Sequence, residues 1–251
     1  MPRMAIPERA PVSTGTILPL QLDDLAFEAV GKRLIDGITL TLGGGPRTVI
    51  LGPNGAGKSL LLRLCHGLLQ PTAGAVRWRG PGATGNGRRQ AMVFQHPVML
   101  RRSAAANIDY ALRLKRIPRP LRHARVREVL DDTGLTSLAQ RPARNLSIGE
   151  QQRLALARAW AAAPEVLFLD EPTANLDPAA TRAIEEVIAA IDLTGTKIVM
   201  TTHDLGQARR LADEIVFLHR GRLLEQRPAG EFFASPLTSE AAAFIEGRLL
   251  W

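Results

Sequence analysis

One cysteine stands in 251 residues. Cys65 alone excludes an internal disulfide and any metal cage built from several cysteines. No apolar run reaches the length of about 18 residues that a membrane-spanning helix needs. The richest stretch, Ala155 to Leu169, is interrupted by Arg158, Pro164 and Glu165. Met1 to Thr16 carries prolines and Glu8 but no apolar signal core, which argues against export. Repeats and low-complexity tracts are missing too, so collagen-like, mucin-like and wholly disordered chains are excluded. Acids are scarce between Arg101 and Arg127, where Asp109 stands alone.

What is present is an ordinary globular balance, 45% hydrophobic and 22% charged. The net charge is +8, from 32 Lys+Arg against 24 Asp+Glu. That excess suits an anionic partner: a nucleotide, a nucleic acid or an anionic membrane surface. The plainer reading of Arg101–Arg127 is a solvated, arginine-rich helical face, and charge does not choose among the partners.

Residues 1–17 read as a flexible leader and 18–251 as the folded domain. The Leu18–Leu42 stretch alternates like strands. Thr48–Leu51 is an apolar strand that runs into a glycine loop, and Ser59–Leu69 has leucines at helical spacing. Pro81–Gly87 reads as a loop between strands at Ala75–Trp78 and Ala91–Phe94. Residues 98–163 look mostly helical, with a break at Ile117–Pro120. Strands at Val166–Leu169, Ile198–Met200 and Ile215–Leu218 then alternate with helices near Pro178–Ile191 and Leu205–Ala212. This alternation predicts an α/β fold with a mostly parallel sheet in its later part. The helix-rich block reads as an inserted subdomain.

Gly52-Pro53-Asn54-Gly55-Ala56-Gly57-Lys58-Ser59 fits G-x-x-x-x-G-K-[ST] between a strand and a helix. Glycines let backbone N–H groups turn onto phosphate oxygens, and the helix N-terminus adds positive potential there. Lys58 is expected to reach the β- and γ-phosphates, and the Ser59 hydroxyl to ligate Mg²⁺. Downstream, the apolar run Val166–Leu169 ends in Asp170-Glu171-Pro172. Adjacent acids suit a division of labour, with Asp170 in the metal shell and Glu171 facing the attacking water. Leu146-Ser147-Ile148-Gly149-Glu150-Gln151-Gln152-Arg153 starts a helical run behind a good N-cap residue, which is a second anion-binding terminus.

Together these segments resemble the ATP-binding cassette (ABC) ATPases, over essentially Leu18 to Trp251. The resemblance rests on the phosphate loop, Gln95 after a strand, the signature at Leu146–Arg153, the Asp170-Glu171 pair, Ala174-Asn175-Leu176-Asp177 and His203 after Ile198–Thr202. It implies a P-loop ATPase core with an antiparallel β subdomain and a helical subdomain inserted at about 96–163. It implies an ATP set of Gly52, Pro53, Asn54, Gly55, Ala56, Gly57, Lys58, Ser59 and Leu60. Glu171, His203 and Gln95 would be catalytic, and Ser59, Gln95 and Asp170 would hold Mg²⁺. Ser147, Gly149 and Asp177 would act in trans, across a head-to-tail homodimer of cassettes. Gln95 would link the γ-phosphate site to the helical block, where the family docks a transmembrane permease.

Two features depart from the family pattern. Ala29 and Val30 stand where an adenine-stacking aromatic is usual, with Phe27 as a possible substitute. Ile148 replaces the signature's usual glycine, and a β-branched residue does not easily take φ > 0. The chain end, from Gly221-Arg222-Leu223-Leu224-Glu225 through Glu231-Phe232-Phe233 to Ala243–Trp251, is similar to bacterial tungstate and phosphate-type oxyanion importers, as is Phe94–Ser103. That implies a cassette at the cytoplasmic face of a bacterial inner membrane. It would touch the membrane through its permease, work with a periplasmic solute-binding protein and need no nucleic acid. Tungstate is the first expectation for the solute, then phosphate or molybdate. The competing readings are a non-transport ABC ATPase working on nucleic acid or ribosomes, and a weakly hydrolysing regulatory cassette.

Overall fold

The computed structural model describes residues 15–83 and 89–248. The leader expected over 1–17 falls outside these residues as far as position 14. Its last residues are anchored: the Thr16 hydroxyl and the Ile17 N–H both donate to Glu165, at 3.1 and 2.7 Å. The expected loop at Pro81–Gly87 lies outside the description from position 84, and the end of the chain from 249.

The Leu18–Leu42 pattern resolves into two strands, β1 (Leu20–Ala29) and β2 (Lys32–Leu42). They pair antiparallel through a tight turn at Val30 (φ 50°) and Gly31 (φ 70°). Two consecutive left-handed residues match the right-handed twist of a hairpin. After β3 (Thr48–Leu51) and α1 (Lys58–His66), β4 (Ala73–Trp78) joins the other edge of β1, giving a sheet of order β2-β1-β4. This is the antiparallel subdomain that the resemblance implied.

The rest of the chain builds β5 (Gln90–Val93), then a helical block of α2 (Ala104–Leu114), α3 (Arg119–Asp132) and α4 (Ile148–Ala161). It continues with β6 (Val166–Asp170), α5 (Pro178–Leu193), β7 (Lys197–Thr202), α6 (Leu205–Leu211) and β8 (Glu214–His219). The end is β9 (Arg222–Pro228), α7 (Ala229–Ala234) and α8 (Ser239–Ile245). The larger sheet runs β5-β6-β7-β3-β8-β9, parallel throughout except for the β8–β9 pair.

Alternation along the central strands divides the interior in two, because successive strand side chains face opposite ways. Ile50, Val166, Phe168, Val199, Val216 and Leu218 pack toward α1 and the antiparallel sheet, beside the buried Cys65. Leu51, Leu167, Leu169, Ile198, Met200 and Phe217 pack toward the helical block and α5. Strands buried on both faces read as continuous apolar runs, which is why they are visible in the sequence. The parallel register sets Leu51 beside Thr202 and Asp170 beside Thr201. The loops after β3, β6 and β7 therefore leave the sheet at one edge, where open α/β sheets bind ligands.

Candidate functional site

The phosphate loop fits only because two positions are glycine. Gly57, the N-cap of α1, has φ 98°, and a Cβ there would lie 2.8 Å from Ile35 Cδ1. At Gly52 (φ 154°) a Cβ would meet the Leu218 carbonyl oxygen at 2.2 Å. Lys58 opens α1 with its ammonium folded back into the loop, donating to the Gly52 carbonyl at 2.8 Å and the Pro53 carbonyl at 3.1 Å. Its side chain is only 5% exposed and lies 3.7 Å from Glu171 Oε1. Burial pulls the Lys58 pKa below its ordinary value, while Glu171 and Asp170 oppose that shift.

The next residue along α1 meets the end of β6. Ser59 Oγ donates to Asp170 Oδ1 at 2.6 Å, and Thr201 Oγ1 donates to the same oxygen at 3.0 Å. Asp170 is buried. Thr201 also accepts the Glu171 N–H at 2.9 Å, which helps hold Glu171 at φ 44°. Such a left-handed non-glycine residue is costly and clusters at functional sites. The turn swings the Glu171 carboxylate off the strand to 3.1 Å from His203 Nδ1.

Around these groups opens a cavity of about 850 Å³. Asn54 to Leu60 line it, together with Gln95, Glu171 and His203. Gly52 and Pro53 stand behind as carbonyl partners of Lys58, and Asp170 lies beneath Ser59. The catalytic and metal-binding residues expected from the sequence are thus brought together in one place.

Ser147, Gly149 and Asp177 do not line this cavity. Ser147 and Glu150 form a reciprocal cap at the start of α4: Ser147 Oγ accepts from the Glu150 N–H at 3.3 Å, and the Ser147 N–H donates to Glu150 Oε2 at 2.7 Å. Asp177 caps α5 by accepting from the Ala179 and Ala180 N–H groups. Ile148 is 68% exposed at the first position of α4, and neither it nor Gly149 has a positive φ. The steric objection to a β-branched residue there does not hold: the helix asks only for right-handed backbone.

Sequence reasoning missed Thr201, whose hydroxyl ties Asp170 to Glu171, together with Thr173, Thr181, Thr202 and Asp204 in the cavity lining. The only signal was the pair of threonines ending an otherwise apolar strand. Ala29 and Val30 bring no ring to the cavity. Val30 is fully exposed at the hairpin turn, and Phe27 packs against the core beside α1. Leu34 is the apolar residue from this sheet that reaches the cavity. A second, apolar groove of about 380 Å³ runs between β5 and the helical block, with Met92, Phe94, Tyr110, Leu114, Ala155 and Arg158 in its walls. No helix among the described residues is long and apolar enough to cross a membrane.

Comparison with known proteins agrees with this geometry. The ABC transporter family model matches residues 35–174. The phosphate import ATP-binding protein PstB 2 of Natronomonas pharaonis is 36% identical over 238 residues, covering 88% of this chain and 84% of that protein. The tungstate uptake system ATP-binding protein TupC of Peptoclostridium acidaminophilum is 40% identical over 196 residues, covering 78% and 92%. Relatives named for methionine import match as well. Among solved structures, cbiO1 of Clostridium perfringens, part of the ABC transporter complex cbiONQ, superposes with a TM-score of 0.77 at 28% identity, over 92% of this chain and 95% of that one. On the family match, and on its own convergence of glycine loop, paired acids and histidine, the chain belongs to the ABC transporter family and is one of its ATPase cassettes.

Proposed function

We propose that this chain hydrolyses ATP to drive import of a small oxyanion, tungstate first and phosphate or molybdate next, through a separate permease. One observation carries the hydrolytic part: Lys58, Glu171 and His203 converge on a single cavity above the Ser59–Asp170 pair. In this reading the loop N–H groups and Lys58 hold the β- and γ-phosphates and offset the charge that develops there. Glu171 orients a water in line with the γ-phosphorus and takes its proton, as the bond from that phosphorus to the bridging oxygen breaks and ADP leaves. His203, already bonded to Glu171, fixes the carboxylate and faces the γ-phosphate. Gln95 also lines the cavity.

The donor set also fits Mg²⁺. The Ser59 hydroxyl and Asp170 carboxylate share one short hydrogen bond, and both, like the Gln95 amide, are hard oxygen ligands. Mg²⁺ uses one or two such groups plus substrate phosphates, and it supplies charge neutralisation when bound.

Ser147, Gly149 and Asp177 complete the reading only in a second copy. They lie off the cavity of their own chain, which favours a homodimer that binds each nucleotide between one chain's loop and its partner's signature. The apolar groove beside Gln95's strand is the proposed seat of the permease. A periplasmic solute-binding protein would deliver the anion. The solute rests on the likeness to the TupC and PstB proteins and on the chain-end pattern from Gly221 onward.

The test is uptake by vesicles holding this chain with its permease and binding protein. ATP-dependent accumulation of tungstate, competed by molybdate, is the expected result. Accumulation of methionine instead, with no anion uptake, overturns the solute assignment and leaves the ATPase reading standing.

A further inference from the structure

The segment that carries His203 is joined to the segment that carries Glu171 by more than the histidine. Thr201 holds Asp170 Oδ1 and the Glu171 N–H. His203 holds the Glu171 carboxylate. One helical turn further on, Gln207 Nε2 donates to Thr173 Oγ1 at 2.7 Å and to Glu185 Oε1 at 3.3 Å. Gln207 is only 1% exposed, and its Oε1 is buried without a hydrogen-bond partner among the described residues. Arg210, from the same helix, closes on Glu185 at 2.9 and 2.7 Å.

This arrangement brackets the loop from Glu171 to Asp177. Its beginning is held at Thr173 by Gln207. Its end runs into α5, which Gln207 and Arg210 hold through Glu185. The amide thus touches both the start of the loop and the helix that follows it. A buried amide with a spare acceptor is retained here at a cost, because an unmade buried hydrogen bond is unfavourable. Packing alone does not explain it, since an apolar side chain of similar size would fill the same space.

We infer that Gln207 is a positioning residue for hydrolysis: through Thr173 it locks the Glu171–Asp177 loop to the helix behind His203, so that carboxylate and histidine keep one geometry. This inference rests on Glu171 and His203 being the hydrolytic pair. Gln207 itself touches no nucleotide, since it lies outside the cavity lining, whereas Thr173 is part of that lining. The effect should therefore fall on turnover and not on binding.

The experiment measures kcat, KM and the affinity for a non-hydrolysable ATP analogue in the whole chain. The variants are Gln207→Ala, Thr173→Val, Thr173→Ser and the Gln207→Ala/Thr173→Val pair. We expect Gln207→Ala and Thr173→Val each to lower kcat by about tenfold while analogue affinity stays within about twofold, with the pair no slower than the slower single variant. Thr173→Ser keeps the hydroxyl and should turn over faster than Thr173→Val. The inference is overturned by unchanged kcat in both single variants, by effects that multiply in the pair, by loss of analogue affinity in step with kcat, or by Thr173→Ser being as slow as Thr173→Val. If Gln207→Ala does not fold, the Val/Ser contrast at Thr173 decides alone. Glu171→Gln, run in parallel, tests the underlying reading separately: full activity there removes the hydrolytic pair, whatever Gln207 does.

Discussion

Lys58 shows how far a single residue can be read from sequence. Its place after Gly57 announces a phosphate ligand, but the sequence does not say that the ammonium is buried between the Gly52 and Pro53 carbonyls and 3.7 Å from Glu171. Lys58→Ala should weaken ATP binding by at least about tenfold, in line with about 1.5–3 kcal/mol for a charge-assisted hydrogen bond. Titration calorimetry checks this, and unchanged affinity removes the loop from the site. Glu171→Gln keeps shape and hydrogen-bonding reach but cannot take a proton. It should bind ATP normally and hydrolyse it about 10²–10⁴-fold more slowly, the usual share of a general base. Phosphate release measured against bound nucleotide decides it. Ile148 is the residue on which sequence reasoning misled. A left-handed requirement was expected, whereas position 148 opens α4 with right-handed backbone and its side chain in solvent. Ile148→Gly is therefore expected to leave ATPase activity equal or higher, at a stability cost of about 0.5–1 kcal/mol from glycine inside a helix. A fall in activity would assign the isoleucine a contact of its own.

Among the elements, those with apolar strands buried on both faces were legible, because continuous runs such as Val166–Leu169 admit few other readings. What stayed hidden was β9, whose Arg222–Pro228 sequence is mixed in character because it edges the sheet beside a single neighbour. The hairpin turn at Val30 was hidden as well, since valine is a poor candidate for φ 50°. For α4 the sequence marks Ser147 as an N-cap leading into a helical run over Leu154–Ala163. The structure starts it at Ile148, immediately behind the Ser147–Glu150 capping box. That box gives a pH dependence. The Ser147 N–H bond and the hydroxyl beside it hold the Glu150 carboxyl below its ordinary pKa. A group with a depressed folded-state pKa stabilises the fold above its unfolded value, about 4.3, and the contribution is lost as pH falls through the folded value. The melting temperature of the unaltered chain should therefore exceed that of Glu150→Gln at neutral pH, and the gap should close in acid. Because Glu150 sits near solvent, the gap is a fraction of a kcal/mol. A gap that persists unchanged well below pH 4 would show that the charge plays no part.

At the scale of the whole molecule the proposed site residues separate into two groups, one lining the cavity and one away from it. Lys58, Ser59, Gln95, Asp170, Glu171 and His203 gather at the sheet edge, because the parallel register of β3, β6 and β7 delivers their loops to the same place. Ser147 and Gly149 start a helix elsewhere on the surface, satisfied by their own cap, and Ile148 between them is solvent-exposed. The family resemblance already implied that Ser147, Gly149 and Asp177 act across a dimer, and their absence from the cavity lining of their own chain supports that proposal. Nucleotide is then part of the interface, and association should depend on it. Glu171→Gln, which binds ATP without consuming it, should double in scattering mass when Mg-ATP is added and return to the protomer mass when the nucleotide is removed. Adding Ser147→Ala would take away the proposed donor to the partner's phosphate, and it also weakens the α4 cap by about 1 kcal/mol. The two effects separate by assay. A lost cap lowers the melting temperature with or without nucleotide, whereas a lost interface donor abolishes the ATP-dependent mass increase while each protomer still binds ATP through Lys58. If Glu171→Gln keeps one protomer's mass at saturating Mg-ATP, with and without the permease, the in-trans assignment of Ser147, Gly149 and Asp177 is wrong, and the cavity around Lys58 must work alone.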